Sequence, residues 1–163
     1  MIQVAIITLS DTGYNGERDD KSGPLVKELV ERAGFAVSQE ILLPDDYEQL
    51  KAALIQIADN NVASLVLTTG GTGFSKRDCT PEATAAVIER AVPGIPEAIR
   101  AYSMQLTKRA MLSRGTAGIR KNTLIINLPG SPKAVKECLE YILPELTHGL
   151  EILIGSATNC ARE

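Results

Sequence analysis

Residues 68–83 read Thr-Thr-Gly-Gly-Thr-Gly-Phe-Ser-Lys-Arg-Asp-Cys-Thr-Pro-Glu-Ala, and they hold the densest chemistry in the chain. Gly70, Gly71 and Gly73, with Thr72 among them, let the backbone turn sharply and approach a ligand closely. Successive N–H groups in such a loop form an anion-binding concavity. Lys76 and Arg77 add positive charge where phosphate oxygens would lie, and Asp78 offers a hard oxygen ligand for a divalent cation. The loop reads as a site for a phosphorylated ligand with magnesium. An ordinary glycine-rich turn is the alternative, and the Lys-Arg-Asp continuation argues against it. The spacing fits neither a nucleotide P-loop nor a dinucleotide fingerprint.

Three further loops carry comparable residues: Ser10-Asp11-Thr12-Gly13, Pro44-Asp45-Asp46 and Pro129-Gly130-Ser131. Each follows a run that reads as a strand: Ile2–Leu9, Ala36–Leu43 and Asn122–Leu128, beside Ala63–Thr69 before the glycine loop. If these strands are parallel, all four loops meet at one rim, where open α/β sheets bind ligands. Asp45 and Asp78 could then face one pocket and, with phosphate oxygens, hold magnesium. Each has a plainer role too, Asp45 as a helix cap and Asp78 as a complement to a helix dipole. Ser131 can cap a helix and also present its free N–H groups to a phosphate. Arg114, Arg120 and Lys121 form a basic segment whose default reading is solvated surface.

Helices alternate with the strands. One starts at Ser22-Gly23-Pro24 and stops at Gly34, and Tyr47–Asp59 is amphipathic. Another begins with Thr80 as cap and Pro81 at its first position, and runs to about Ala91. Pro96–Leu112 reads as helix, Gly115–Arg120 as a short strand, and Ser131-Pro132 opens a last long helix that Pro144 kinks or restarts. Tyr14–Lys21 reads as a loop. The pattern predicts an α/β fold: a three-layer α/β/α sandwich with a mostly parallel sheet and one antiparallel edge strand. The expectation is a single domain over residues 1–163.

Composition sets the frame. The chain is 44% hydrophobic and 23% charged, with a formal net charge of −3, which argues against nucleic-acid or membrane-surface binding. There is no long apolar run and no signal-peptide pattern, and Cys79, Cys138 and Cys160 are too few and too scattered for a disulfide framework. A cytoplasmic protein with reduced thiols is expected. The lone histidine, His148, has no neighbours that would build a Ser-His-Asp site.

The stretch TTGGTGFSKRDCTPEA resembles the signature of molybdenum-cofactor biosynthesis proteins of the MogA/MoaB type. AIITLSDTG at 5–13, SRGTAGIR at 113–120 and LIINLPGSPKA at 124–134 are similar to that family's other motifs, in order. The resemblance implies a molybdopterin adenylyltransferase that uses ATP, molybdopterin and magnesium. It implies Asp45 and Asp78 as the catalytic and metal-binding acids. It also implies substrate contacts at Ser10, Asp11, Gly70, Gly71, Thr72, Gly73, Lys76, Arg77, Ser113, Gly130 and Ser131. A homotrimer or a hexamer is implied as well, with contact to the molybdenum-insertion enzyme. The alternatives are a non-catalytic molybdopterin-binding protein and a nucleotide-binding regulator. The apolar residues Ile95, Ile99, Leu106 and Ile152–Ile154 are the expected subunit contacts.

Overall fold

The computed structural model describes residues 1–156; Cys160 lies outside them. Six strands form one sheet: β1 (Gln3–Leu9), β2 (Ala36–Leu43), β3 (Leu65–Thr69), β4 (Arg90–Ala91), β5 (Ala117–Arg120) and β6 (Thr123–Leu128). Their order across the sheet is β2-β1-β3-β6-β5-β4. β2, β1, β3 and β6 run parallel, and β5 runs antiparallel to β6. The antiparallel strand expected at an edge is β5, with only the two-residue β4 outside it.

Burial explains the strand sequences. β3 and β6 are buried at every position, and β1 at all but its first, so all three are apolar without alternation. β2 lies at the edge and alternates between half-buried and exposed residues. One face of the sheet carries α2 (Ser22–Arg32), α5 (Gly94–Leu106) and α6 (Pro132–Leu153) over Val4, Ile6, Leu67 and Ile126. The other carries α3 (Tyr47–Asp59) and α4 (Thr80–Val87) over Ala5, Ile7, Val66 and Ile125. The short α1 (Asp11–Tyr14) follows β1.

Several boundaries differ from the sequence reading. α4 ends at Val87, short of Ala91, because Arg90 and Ala91 pair with Ile119 and Gly118. Glu89 N donates to the Ile119 carbonyl at 2.8 Å and Val92 N to that of Ala117 at 3.0 Å, so a sheet edge outcompetes helix propensity there. The expected helix from Pro96 to Leu112 is two: α5 ends at Leu106, and a 3-10 turn follows over Lys108–Leu112. Thr107 separates them in an extended conformation and caps the turn through its hydroxyl. Pro144 does not restart α6; it sits on the exposed face, where water can take up the freed carbonyl. Of the expected subunit contacts, Ile99 belongs to the core and Ile95 and Leu153 pack against it, whereas Leu106, Ile152 and Ile154 are exposed.

Asn127 in β6 is buried among apolar residues and ties both flanks of the sheet together. Its Nδ2 donates to Thr68 Oγ1 at 3.1 Å and Thr84 Oγ1 at 2.9 Å, and its Oδ1 accepts from Thr116 N at 3.2 Å. Asn127→Leu keeps the branched shape but strands those partners, so it lowers unfolding free energy by about 2–4 kcal/mol. A denaturant titration checks this; an unchanged midpoint would show that the network contributes nothing.

Candidate active site

The carboxyl ends of β1, β2, β3 and β6 reach one rim, so the four loops singled out in the sequence meet there. The chain leaves β1 toward β2 on one side and crosses back to β3 on the other, which opens a crevice between the ends of β1 and β3. Backbone closeness defines this crevice. Gly70 has φ +96°, and a β-carbon there would lie 2.3 Å from the Leu9 carbonyl oxygen. Gly71, at φ +69°, would put one 2.3 Å from Thr80 Oγ1 and 3.2 Å from Asp45 Oδ1. Only glycine fits both places.

α4 is tied to this loop directly. Thr80 is its first residue rather than its cap; Cys79 occupies the cap position without a side-chain bond. The Thr80 hydroxyl instead donates to the Gly70 carbonyl at 2.9 Å, and Thr80 N donates to that of Gly71 at 3.1 Å. The demand for a bond across the loop has displaced the local capping role that Thr-Pro-Glu suggests.

Asp45 and Asp11 hold each other. Asp45 N donates to Asp11 Oδ1 at 2.9 Å, and Asp11 N donates to Asp45 Oδ2 at 3.3 Å. Asp46, not Asp45, caps α3 through the Gln49 N–H, which leaves Asp45 free of that duty. Asp45 Oδ1 is buried without a hydrogen-bond partner. Burial raises the Asp45 pKa, and the nearby carboxylates of Asp11 and Asp78 raise it further, against the Asp11 amide. Asp11 goes the other way: the bond from Arg77 holds its carboxyl below the usual range. Arg77 Nε and Nη2 grip the two Asp11 oxygens at 2.9 Å each, a forked pair. Arg77 and Asp11, both expected at substrate, thus face each other. Asp78 accepts the Ser75 N–H at 3.0 Å and stands against Gly73. Lys76 is exposed.

The remaining predicted residues line two cavities beside the Gly70–Gly130 ridge. One, of about 340 Å³, is bounded by Ser10, Ser22, Gly70, Gly130 and Ser131. Ser10 and Ser131 spend their hydroxyls on capping, accepting from Gly13 N and Ala134 N. The other, of about 300 Å³, is more apolar and is bounded by Thr72, Gly73, Arg100, Ser113 and Cys138. Burial raises the Cys79 and Cys138 thiols, so neither is an activated nucleophile. His148 is exposed on α6, away from the rim. Arg120 and Lys121 close the far end of the β5–β6 hairpin, where both pair with Asp59.

Two site-building residues escape a reading of the sequence. Asp20, in a stretch read as plain loop, accepts from Ser22 N, Gly23 N and Thr8 Oγ1 and so starts α2 under the first cavity. Its place two residues before Ser-Gly-Pro is the signal that could have found it. Arg114, read as surface charge, reaches back to the glycine loop. Among the described residues no three His, Cys, Asp or Glu side chains cluster as a metal site, so a cation here needs oxygens from its ligand.

Comparison with known proteins follows this geometry. A family model described as a "probable molybdopterin binding domain" matches residues 5–148. The molybdopterin adenylyltransferase of Helicobacter pylori strain J99 is 36% identical over 164 residues, covering 95% of this chain and 89% of that protein. The molybdenum cofactor synthesis protein cinnamon of Drosophila melanogaster is 41% identical over 99% of this chain, which spans 27% of its length. The crystal structure of the molybdopterin biosynthesis enzyme MoaB from Thermus thermophilus superimposes with a TM-score of 0.90 at 44% identity. That match covers 95% of this chain and 98% of that one.

The raised Asp45 pKa fixes the sign of a stability effect. The native state binds this proton more tightly than the unfolded chain, so ionising Asp45 costs native stability. The cost is absent below the unfolded pKa and complete above the folded one. Asp45→Asn is therefore more stable than wild type at pH 8 in metal-free buffer. Its advantage shrinks as pH falls toward about 4. Thermal unfolding of both proteins across that range reads it directly; a variant less stable at pH 8 would contradict the assignment.

Proposed function

The chain belongs to the molybdopterin-binding domain family, and from that premise we propose that it is a molybdopterin adenylyltransferase of molybdenum cofactor biosynthesis. It is a nucleotidyltransferase that moves AMP from ATP to the terminal phosphate of molybdopterin. One observation carries the reading. Asp45 and the glycine loop that ends in Asp78 sit at a rim flanked by two cavities, as a reaction between two substrates requires.

A terminal phosphate oxygen of molybdopterin attacks the α-phosphorus of ATP. The bond from that phosphorus to its bridging oxygen breaks, and pyrophosphate leaves. The nucleophile is already anionic near neutral pH, so no strong base is needed, in keeping with a rim without histidine. What remains is alignment and neutralisation of charge. Gly71 and Gly73 let the backbone pass close against Asp45 and Asp78, and Lys76 and Arg77 supply positive charge for the phosphates. Ser10, Gly130 and Ser131 border the first cavity and Ser113 the second, and they hold the two substrates in line. Asp45 and Asp78 would hold magnesium together with phosphate oxygens, and its charge would offset that gathering on the leaving pyrophosphate. The unpartnered Asp45 Oδ1 suits a hard cation.

We read the whole chain as one such domain, working in the cytoplasm. None of its described helices is long and apolar enough to cross a membrane. Pyrophosphate release that requires both ATP and molybdopterin tests the activity. Asp78→Asn, nearly isosteric, should lower that turnover at least a hundredfold with the fold intact, a loss of several kcal/mol of transition-state stabilisation. Wild-type turnover in Asp78→Asn at saturating magnesium would remove Asp78 from the chemistry. Binding of both substrates with no pyrophosphate would leave a non-catalytic carrier.

The protein works as a homotrimer or a hexamer, on this reading. Leu106, Met111, Leu112, Ile152 and Ile154 are all more than a third exposed, and a partner subunit would cover them. Sedimentation at micromolar concentration should give a multiple of three times 17.5 kDa; a single species at 17.5 kDa would refute the assembly.

A further inference from the structure

Arg114 touches the glycine loop at Thr72, Gly73 and Asp78. Its backbone N–H donates to the Thr72 carbonyl at 3.0 Å. Its Nε donates to the Gly73 carbonyl at 2.7 Å, and its Nη2 to the Asp78 carbonyl at 3.1 Å. Its Nη1 meets the carboxylate of Glu82 in the first turn of α4. One planar guanidinium thus spans the four residues between Gly73 and Asp78: the exposed Phe74, Ser75, Lys76 and Arg77. That stretch has few other ties: the Ser75 N–H to Asp78, the Asp78 N–H to Ser75, the Arg77 N–H to Ser75 Oγ, and the Arg77 side chain to Asp11.

An ordinary surface ion pair is the plain alternative, since the Arg114 side chain is 31% exposed and such pairs contribute little. The bonding pattern speaks against it. Only one of the four contacts is to a carboxylate, and the others satisfy main-chain carbonyls of the loop. Lysine keeps the main-chain bond to Thr72 but, as a point charge without the fork, cannot reproduce the guanidinium's bonds to Gly73 and Asp78 together. Arg114 also directly follows Ser113, which borders the second cavity. One residue therefore links the wall of one cavity to the loop that carries Asp78.

We propose that Arg114 is the positioning residue of this site. It holds the glycine loop in the shape that presents Asp78, and it couples that loop to the Ser113 wall. It touches no reacting atom and acts through Asp78. Displacements near 1 Å from the reacting geometry cost on the order of a hundredfold in rate. Loss of the fork therefore falls on kcat, while KM for ATP stays within about twofold.

The proposal rests on the adenylyl-transfer reading for its kinetic arm only, so the test has two arms on the full-length protein. In the first, amide hydrogen exchange is followed in wild type, Arg114→Lys and Arg114→Ala. Residues 72–78 should exchange at least tenfold faster in both variants, with the strands of the sheet unchanged. Unchanged exchange in the loop would overturn the proposal whatever the activity, and so would faster exchange spread evenly over the sheet. In the second arm, pyrophosphate release is measured after wild type has been shown to need both substrates; a silent wild type would count against that reading alone. Arg114→Lys and Arg114→Ala should each lose roughly tenfold to a hundredfold in kcat. Low-millimolar guanidinium should restore part of the activity of Arg114→Ala and none of that of Asp78→Asn. Wild-type kcat in Arg114→Lys would refute the positioning role, as would an Arg114→Ala loss that guanidinium leaves untouched.

Discussion

Gly70 passes the carbonyl of Leu9 so closely that no β-carbon could stand between them, and a β-carbon on Gly130 would lie only 3.3 Å from the Gly70 Cα. The ends of β1, β3 and β6 are pressed together by backbone alone at this point. Two hydroxyls seal the contact: Thr69 Oγ1 donates to the Pro129 carbonyl at 2.7 Å and Ser22 Oγ to that of Gly130 at 2.8 Å. Everything polar at the rim is measured from this knot. A side chain at position 70 would push β1 from β3, and with it Asp11 and Asp45 from Arg77 and Asp78. The absence of side chains is what brings the side chains that matter within reach of one another.

Charge at the rim is arranged at a cost to the fold. Asp11 has a full partner in Arg77, and its proton is easily lost. Asp45 has half a partner and resists ionisation. Two neighbouring carboxylates are thereby driven in opposite directions, one made a fixed structural charge and the other left to be completed by a ligand. Strain of that kind persists where surrounding bonds over-determine it, and here the reciprocal amide bonds between Asp11 and Asp45 do so.

Much of this was legible in the sequence, and the reason is locality. Uninterrupted apolar runs gave away the central strands because parallel strands are covered on both faces. Glycine spacing and a following Lys-Arg-Asp marked the ligand loop, and strand–loop order placed Asp45 and Asp78 at the same rim. Apart from Asp20, whose bonds to Ser22 and Gly23 are local, the residues that escaped act at a distance. Arg114 bonds to residues up to 42 positions away, and Asn127 to partners 43 and 59 positions away. No periodicity encodes such bonds. Thr80 was misread for the same reason: the local motif says cap, and a carbonyl ten positions back takes the hydroxyl instead. The early end of α4 at Val87 is likewise set by a hairpin some thirty residues downstream.

The sheet order has a bearing on how the molecule comes into being. β6 is the fourth parallel strand and the last strand among the described residues, yet it lies in the middle, paired to β3 from Leu65 opposite Leu124 onward. A nascent chain that has emerged only as far as residue 122 holds β3 as a bare hydrophobic edge, open to pairing with another chain. It also lacks Pro129 and Gly130, so the rim has nothing to close against. Closing that gap requires contacts across 60 and 108 positions, an arrangement that folds slowly. The ligand loop, written near the middle of the sequence, therefore takes shape among the last parts of the molecule, after translation of its final strand.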